Sequence, residues 1–152
     1  MCHTKSPEET EALGRRVGER CVAGSLVALV GDLGAGKTRF VKGLAAGLGV
    51  ADPAGTVTSP TFVLMNLYQG RERLSHYDLY RLEAVDLLSL GFFDQLRDGA
   101  VVVEWADRAT AGLPIDRLEV SFEVTGEATR RLMFRALGPR SRELAAGLNL
   151  SP

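Results

Sequence analysis

Cysteine is scarce in this chain: Cys2 and Cys21 stand alone among 152 residues. Neither belongs to a CxxC or Cys/His spacing, so no thiolate metal site is encoded. Two isolated thiols fit a reduced, cytoplasmic compartment. Charge of one sign is also lacking. Eighteen basic residues face nineteen acidic ones, for a net charge of −1. That balance excludes an autonomous, tight DNA or RNA binder, which needs a basic footprint to neutralise phosphates. The basic cluster Arg130, Arg131, Arg135, Arg140 and Arg142 reads as a solvated face. Long apolar runs are missing too. The longest are strand-sized, far short of a membrane span. The opening residues carry acids and a proline rather than an apolar core, so no signal peptide is expected. Repeats, linkers and low-complexity stretches are absent. The length suits one domain over residues 1–152, with a core at about 6–137.

What is present alternates between two periodicities. Ser6-Pro7-Glu8-Glu9 reads as a helix start: Ser6 caps, Pro7 suits the first turn and Glu9 completes a capping box. Leu13, Val17 and Cys21 then form one apolar stripe, and Gly24 is placed to end the helix. Ser25 to Val30 is a continuous apolar run, the mark of a strand buried on both faces. Phe40, Val41, Leu44, Ala45 and Leu48 return to helical spacing, closed by Gly49. Thr61–Tyr68 and Glu72–Leu79 read as a hairpin around Gln69-Gly70-Arg71. Leu82–Leu90 reads as a short helix, Ala100–Val103 as a second buried strand, and Asp107–Gly112 as a helical turn. Leu118–Val124 and Arg131–Leu137 read as late strands, and Pro139–Gly147 as a terminal helix. The expected fold is an α/β sandwich, parallel at the centre of its sheet, with antiparallel additions from the hairpin and the C-terminal strands.

Between the first buried strand and the helix after it lies Gly31-Asp32-Leu33-Gly34-Ala35-Gly36-Lys37-Thr38. This is G-x-x-x-x-G-K-[ST], the phosphate-binding P-loop. Its glycines let the backbone turn tightly against a phosphate. Successive N–H groups from Asp32, Leu33, Gly34, Ala35, Gly36, Lys37 and Thr38 form an anion nest, reinforced by the positive end of the helix dipole. Lys37 is placed to reach the β and γ phosphates, and the Thr38 hydroxyl to coordinate Mg²⁺. A chance match in so glycine-rich a chain is on the order of one in a hundred from average composition. The strand before it and the helix after it are the context that confirms the motif. The fold class is therefore a single-domain P-loop NTPase sandwich.

A P-loop NTPase also needs a carboxylate at the end of a neighbouring strand. Asp78, closing Leu74-Ser75-His76-Tyr77-Asp78, and Glu104, closing Ala100 to Glu104, both qualify. One can bind or orient Mg²⁺ while the other positions or deprotonates water. Trp105 either packs in the core or lines the nucleotide pocket. His76 shares a strand face with Asp78 and reads equally as a structural histidine or as a partner to an acid or phosphate. Ser59, Pro60 and Thr61 lie in a hydroxyl-rich loop, which reads either as polar surface or as a switch sensing the γ-phosphate.

The order GDLGAGKT, SPTF (59–62), HYDLYR (76–81), LG (90–91) and EW (104–105) resembles the TsaE family, formerly YjeE. The resemblance runs from about Thr10 to Arg131. It implies a weak, partner-stimulated ATPase that uses ATP and Mg²⁺ and works with TsaD and TsaB. That machinery installs threonylcarbamoyl on adenosine 37 of tRNA, so contact with tRNA is indirect. The resemblance also implies Lys37, Asp78 and Glu104 as catalytic and Thr38 and Glu104 as metal-binding. Thr10 on the adenine side and Arg131 join the loop residues as nucleotide-binding, and Ser59-Pro60-Thr61 becomes the switch-like loop. Arg39 and Gly91-Phe92-Phe93-Asp94 depart from the usual pattern without touching the phosphate chemistry. A GTPase is disfavoured because no Asn-Lys-x-Asp segment reads guanine. The alternative enzyme is a small P-loop kinase, which needs a lid of arginines. Arg71, Arg73, Arg81 and Arg97 are too scattered in sequence to decide. A third reading is a nucleotide-dependent binding module with negligible hydrolysis.

Overall fold

A computed structural model describes residues 1–57, 65–80, 91–109 and 112–148. The described residues form one seven-stranded sheet in the order β1-β7-β6-β2-β5-β4-β3. The strands are β1 (Cys2–Thr4), β2 (Leu26–Val30), β3 (Met65–Tyr68), β4 (Leu74–Asp78), β5 (Ala100–Glu104), β6 (Leu118–Val124) and β7 (Arg130–Ala136). β2 runs parallel to β5 and to β6, and β5 parallel to β4. β3 is antiparallel to β4, and β7 is antiparallel to β6 and β1.

The α/β architecture is as expected, with two corrections. β6 was expected among the antiparallel additions but lies inside the parallel core beside β2. Its inward positions Leu118 and Val120 are fully buried, as a central strand requires. β1 was not expected at all. Cys2, which reads as part of a loose terminus, pairs opposite Leu132, because β7 otherwise offers an open edge of N–H and C=O groups. The sheet and its core thus extend beyond 6–137, with Leu144 and Leu148 also buried. The expected Leu82–Leu90 helix and Ser59–Thr61 loop lie outside the described residues.

Period-two alternation divides the core. Val27, Leu29 and Val102 face one side of the sheet with α1 (Pro7–Arg20) and α2 (Lys37–Gly47). Leu26, Ala28, Val101 and Val103 face the other side with Tyr77 and Phe92, the latter opening α4 (Phe92–Asp98). Both faces of β2 and β5 are covered, so their sequences read as unbroken apolar runs.

Ser6 caps α1 as expected, accepting from Glu9 N at 3.2 Å, with Pro7 in the first turn. Glu9 departs from a strict capping box, since its carboxylate takes Lys5 N at 2.5 Å. The helix ends at Arg20, four residues before Gly24. Arg71 explains the earlier stop: its guanidinium donates to the carbonyls of Gly18, Glu19 and Cys21, satisfying the end of α1 from the β3–β4 turn. Gly24, at φ 92°, instead turns the chain into β2.

α1 and α2 touch backbone to backbone. A Cβ at Gly14 or Gly18 would collide with the carbonyls of Phe40 or Leu44. One at Gly43 or Gly47 would collide with those of Glu11 or Arg15. Glycines four apart on both helices make this approach possible. Arg39 adds a side-chain stitch, its Nε 2.7 Å from Glu11 Oε2. The residue that departs from the family pattern therefore ties α2 to α1.

Candidate functional site

The loop Gly31–Gly36 leaves the carboxyl end of β2 and delivers α2. Gly36, the residue before α2, sits at φ 104°, a conformation that a side chain would strain. Leu33 projects into solvent while Ala35 is buried beneath the loop. The loop residues thus offer backbone rather than side chains to a ligand. α2 has no side-chain cap. Its first N–H groups therefore point toward the same space, the arrangement that favours an anion.

Lys37 is buried at 5% exposure. Its Nζ donates to Gly31 O and, at 3.1 Å, to Asp32 O. The same atom lies 3.9 Å from the centre of the Trp105 ring. Burial lowers the pKa of this ammonium below the ordinary lysine value, while Glu104, Asp78, Asp107 and Asp32 pull it back up. Four carboxylates thus lie near enough to favour the charged form of this one cation.

The acids arrive from the neighbouring strands. Asp78 and Glu104 are direct partners in the parallel β4–β5 register, and Glu104 is also level with Leu29 of β2. All three strand ends therefore open on the same crevice, where ligands collect in open α/β sheets. Glu104 is 2% exposed. Its Oε1 accepts from Thr38 Oγ1 at 3.3 Å and its Oε2 lies 2.5 Å from His76 Nε2. Asp78 Oδ1 accepts from Tyr80 N at 2.9 Å, which fixes the carboxylate at the strand tip. A hydroxyl and two carboxylates form a hard oxygen set, the chemistry that suits Mg²⁺. Trp105 adopts φ 58° and stacks on Tyr80 with ring centroids 4.8 Å apart. The ring thus lines the lysine while packing against the edge of the core.

Lys37, Thr38, Asp78 and Glu104, far apart in sequence, are brought together with Asp32, Leu33, Gly34, Ala35 and Gly36. Thr10 is buried beside the loop: a Cβ on Gly36 would lie 3.6 Å from its methyl carbon. Its hydroxyl is engaged by Thr4 Oγ1 at 2.8 Å. Arg131 is not brought to the loop. It forms an ion pair with Glu123. Its neighbour Arg130 points to the opposite face of β7 and does reach the loop, as alternation along a strand requires. Arg130 donates to Gly34 O and Ala35 O at 3.1 and 3.2 Å, and to the carbonyls of Gly126, Glu127 and Thr129.

Sequence reasoning missed Arg130 by pooling it with a basic face. Leu132 and Phe134 share its parity and point into the core, and that period-two signal marks Arg130 as inward-facing. The basic cluster is not one face: Arg130 is spent on the loop, and Arg131 and Arg135 pair with Glu123 and Glu119. Two of the four arginines weighed for a kinase lid are engaged away from the loop, and Arg81 lies outside the described residues. Arg71 closes α1, and Arg97 pairs with Asp94 and Asp98.

The family model described as "Threonylcarbamoyl adenosine biosynthesis protein TsaE" matches residues 4–132. The chain belongs to the TsaE family. The protein named tRNA threonylcarbamoyladenosine biosynthesis protein TsaE in Treponema pallidum is 39% identical, over 86% of this chain and 96% of that one. The Bacillus subtilis protein of the same name is 37% identical over 96% of this chain and 91% of its own. The crystal structure of Bacillus subtilis YdiB superposes with a TM-score of 0.79 at 34% identity, covering 97% of this chain and 91% of that one. The match takes in the phosphate loop, both acids and Arg130. Among the described residues, no helix of this TsaE-family chain is long and apolar enough to cross a membrane.

Proposed function

We propose that this TsaE-family chain is a cytoplasmic, Mg-dependent ATPase of one domain that supports threonylcarbamoyl transfer to adenosine 37 of tRNA. It does so by binding the TsaD–TsaB complex and resetting it between turnovers. The observation that carries the ATPase reading is the convergence of Lys37, Thr38, Asp78 and Glu104 at the ends of three adjacent parallel strands. The tRNA part rests on the name shared by the relatives.

In this reading the loop N–H groups and Lys37 hold the β and γ phosphates and oppose the charge that develops as the γ-phosphoryl departs. Thr38 and Glu104 would hold Mg²⁺, which would supply charge neutralisation beside the phosphates. Asp78, fixed by Tyr80 N, orients the attacking water. Thr10 lies on the adenine side, and Ser59, Pro60 and Thr61 respond to the γ-phosphate. Partner binding and tRNA contact through the partner complete the cycle.

The deciding experiment measures ATP hydrolysis by the chain alone, with TsaD–TsaB, and with TsaD–TsaB plus tRNA. Stimulation by the partners is the expected result. Phosphate transfer to a small acceptor, with no response to TsaD–TsaB, would overturn the reading in favour of a kinase.

A further inference from the structure

A string of polar side chains runs from the site into the sheet. His76 is fully buried on the α2 side of β4, between the apolar positions of Leu74 and Val102. Its Nε2 lies 2.5 Å from Glu104 Oε2, and its Nδ1 lies 3.3 Å from Tyr68 Oη. Asn66 Nδ2 donates to Tyr68 Oη at 3.4 Å. Three neighbouring strands contribute: β3, β4 and β5.

We propose that His76 is a positioning residue for Glu104, anchoring one carboxylate oxygen so that the other faces Thr38, and that Tyr68 fixes the His76 ring. The inference rests on reading Glu104 as the metal-side acid.

An ionised carboxylate only accepts, so His76 Nε2 carries the hydrogen. In the neutral tautomer with hydrogen on Nε2, Nδ1 accepts from the Tyr68 hydroxyl, which accepts from Asn66. In that tautomer the donors run from Asn66 through Tyr68 and His76 to Glu104. With Oε2 held by His76, Oε1 is the oxygen left for Thr38 and the phosphate crevice. A leucine would fill the His76 site at a smaller desolvation cost, so packing alone does not call for an imidazole there. Without the imidazole, a buried carboxylate oxygen loses its donor and the acid is free to turn. This is the manner in which hydrogen-bonding partners orient metal ligands.

The test uses the full chain, Mn²⁺ as the metal and a non-hydrolysable ATP analogue, with Mn²⁺ uptake read by electron paramagnetic resonance. Trp105, the single tryptophan, reports metal-free nucleotide binding by fluorescence. His76→Leu is expected to weaken Mn²⁺ uptake about 10- to 100-fold, while metal-free nucleotide affinity stays within about twofold. His76→Gln, whose amide N–H can replace Nε2, is expected to recover most of that loss. A purely structural histidine would instead lower thermal stability and leave Mn²⁺ affinity unchanged. A folded His76→Leu chain with wild-type Mn²⁺ affinity overturns the proposal. Should His76→Leu not fold, Tyr68→Phe decides by losing one hydroxyl: weaker Mn²⁺ uptake supports the proposal and unchanged uptake overturns it. A wild-type chain that takes up no Mn²⁺ with nucleotide removes the ATPase reading and this inference together. A wild type that binds beside variants that bind equally removes only the inference.

Discussion

The lysine side and the acid side of the crevice are built by different means. On the lysine side, the residues are contiguous: Gly31–Gly36 offer backbone and Lys37 its side chain, and helix packing holds them in place. On the acid side, Asp78 and Glu104 come from separate strands; the side chains of Thr38 and His76 set the direction of Glu104, and the Tyr80 backbone N–H that of Asp78. A backbone cradle tolerates side-chain variation but depends on glycine and on close packing. An acid held by side chains, as Glu104 is, depends on each named partner.

Four substitutions separate the two halves. The largest effect is expected from Lys37→Ala, which removes a charge-assisted contact to two phosphates. ATP affinity should fall at least about 100-fold, measured by Trp105 fluorescence titration. Affinity retained within tenfold would show that the backbone alone carries the cradle. Glu104→Ala should lower single-turnover hydrolysis on the order of 100-fold while metal-free ATP affinity stays within about twofold. Normal single-turnover hydrolysis would make the acid structural. Gly14→Ala drives a methyl into the Phe40 carbonyl. It should cost about 2 kcal/mol in urea unfolding and leave the acid side's Mg²⁺ dependence unchanged. The smallest effect belongs to Arg130→Ala, which frees Gly34 O and Ala35 O from their brace. ATP affinity should drop about fivefold in isothermal titration, the size of one partly exposed charged hydrogen bond. An unchanged affinity would show that the loop holds its shape without Arg130.

The same contrast explains what the sequence disclosed. The cradle is local, so eight consecutive residues and their flanking periodicities were enough to find it. β2, β5 and the hairpin were legible because strands buried on two faces, or turning at Gly70, leave short-range patterns. The placement of β6 beside β2 was not, because a strand's neighbour is a choice made across the whole sheet. Glu104 could be named as a candidate from its position at the end of an apolar run. Its contacts with Thr38 and His76 join residues 66 and 28 positions apart, and no local pattern encodes them. Arg130 and Arg131 make the same point at one-residue resolution. They are identical in type and adjacent, and only their parity on β7 sends one to the loop and the other to Glu123.

The glycine contacts between α1 and α2 have a mechanical consequence. Two helices whose backbones meet at four points cannot slide past one another by repacking side chains, because no side chains separate them. α1, α2 and the loop at the head of α2 are thereby packed as one unit. Thr10 belongs to that unit, beside the phosphate loop. A force applied to the outer surface of α1, such as the grip of a second protein, would reach the phosphate loop directly, without passing through the sheet.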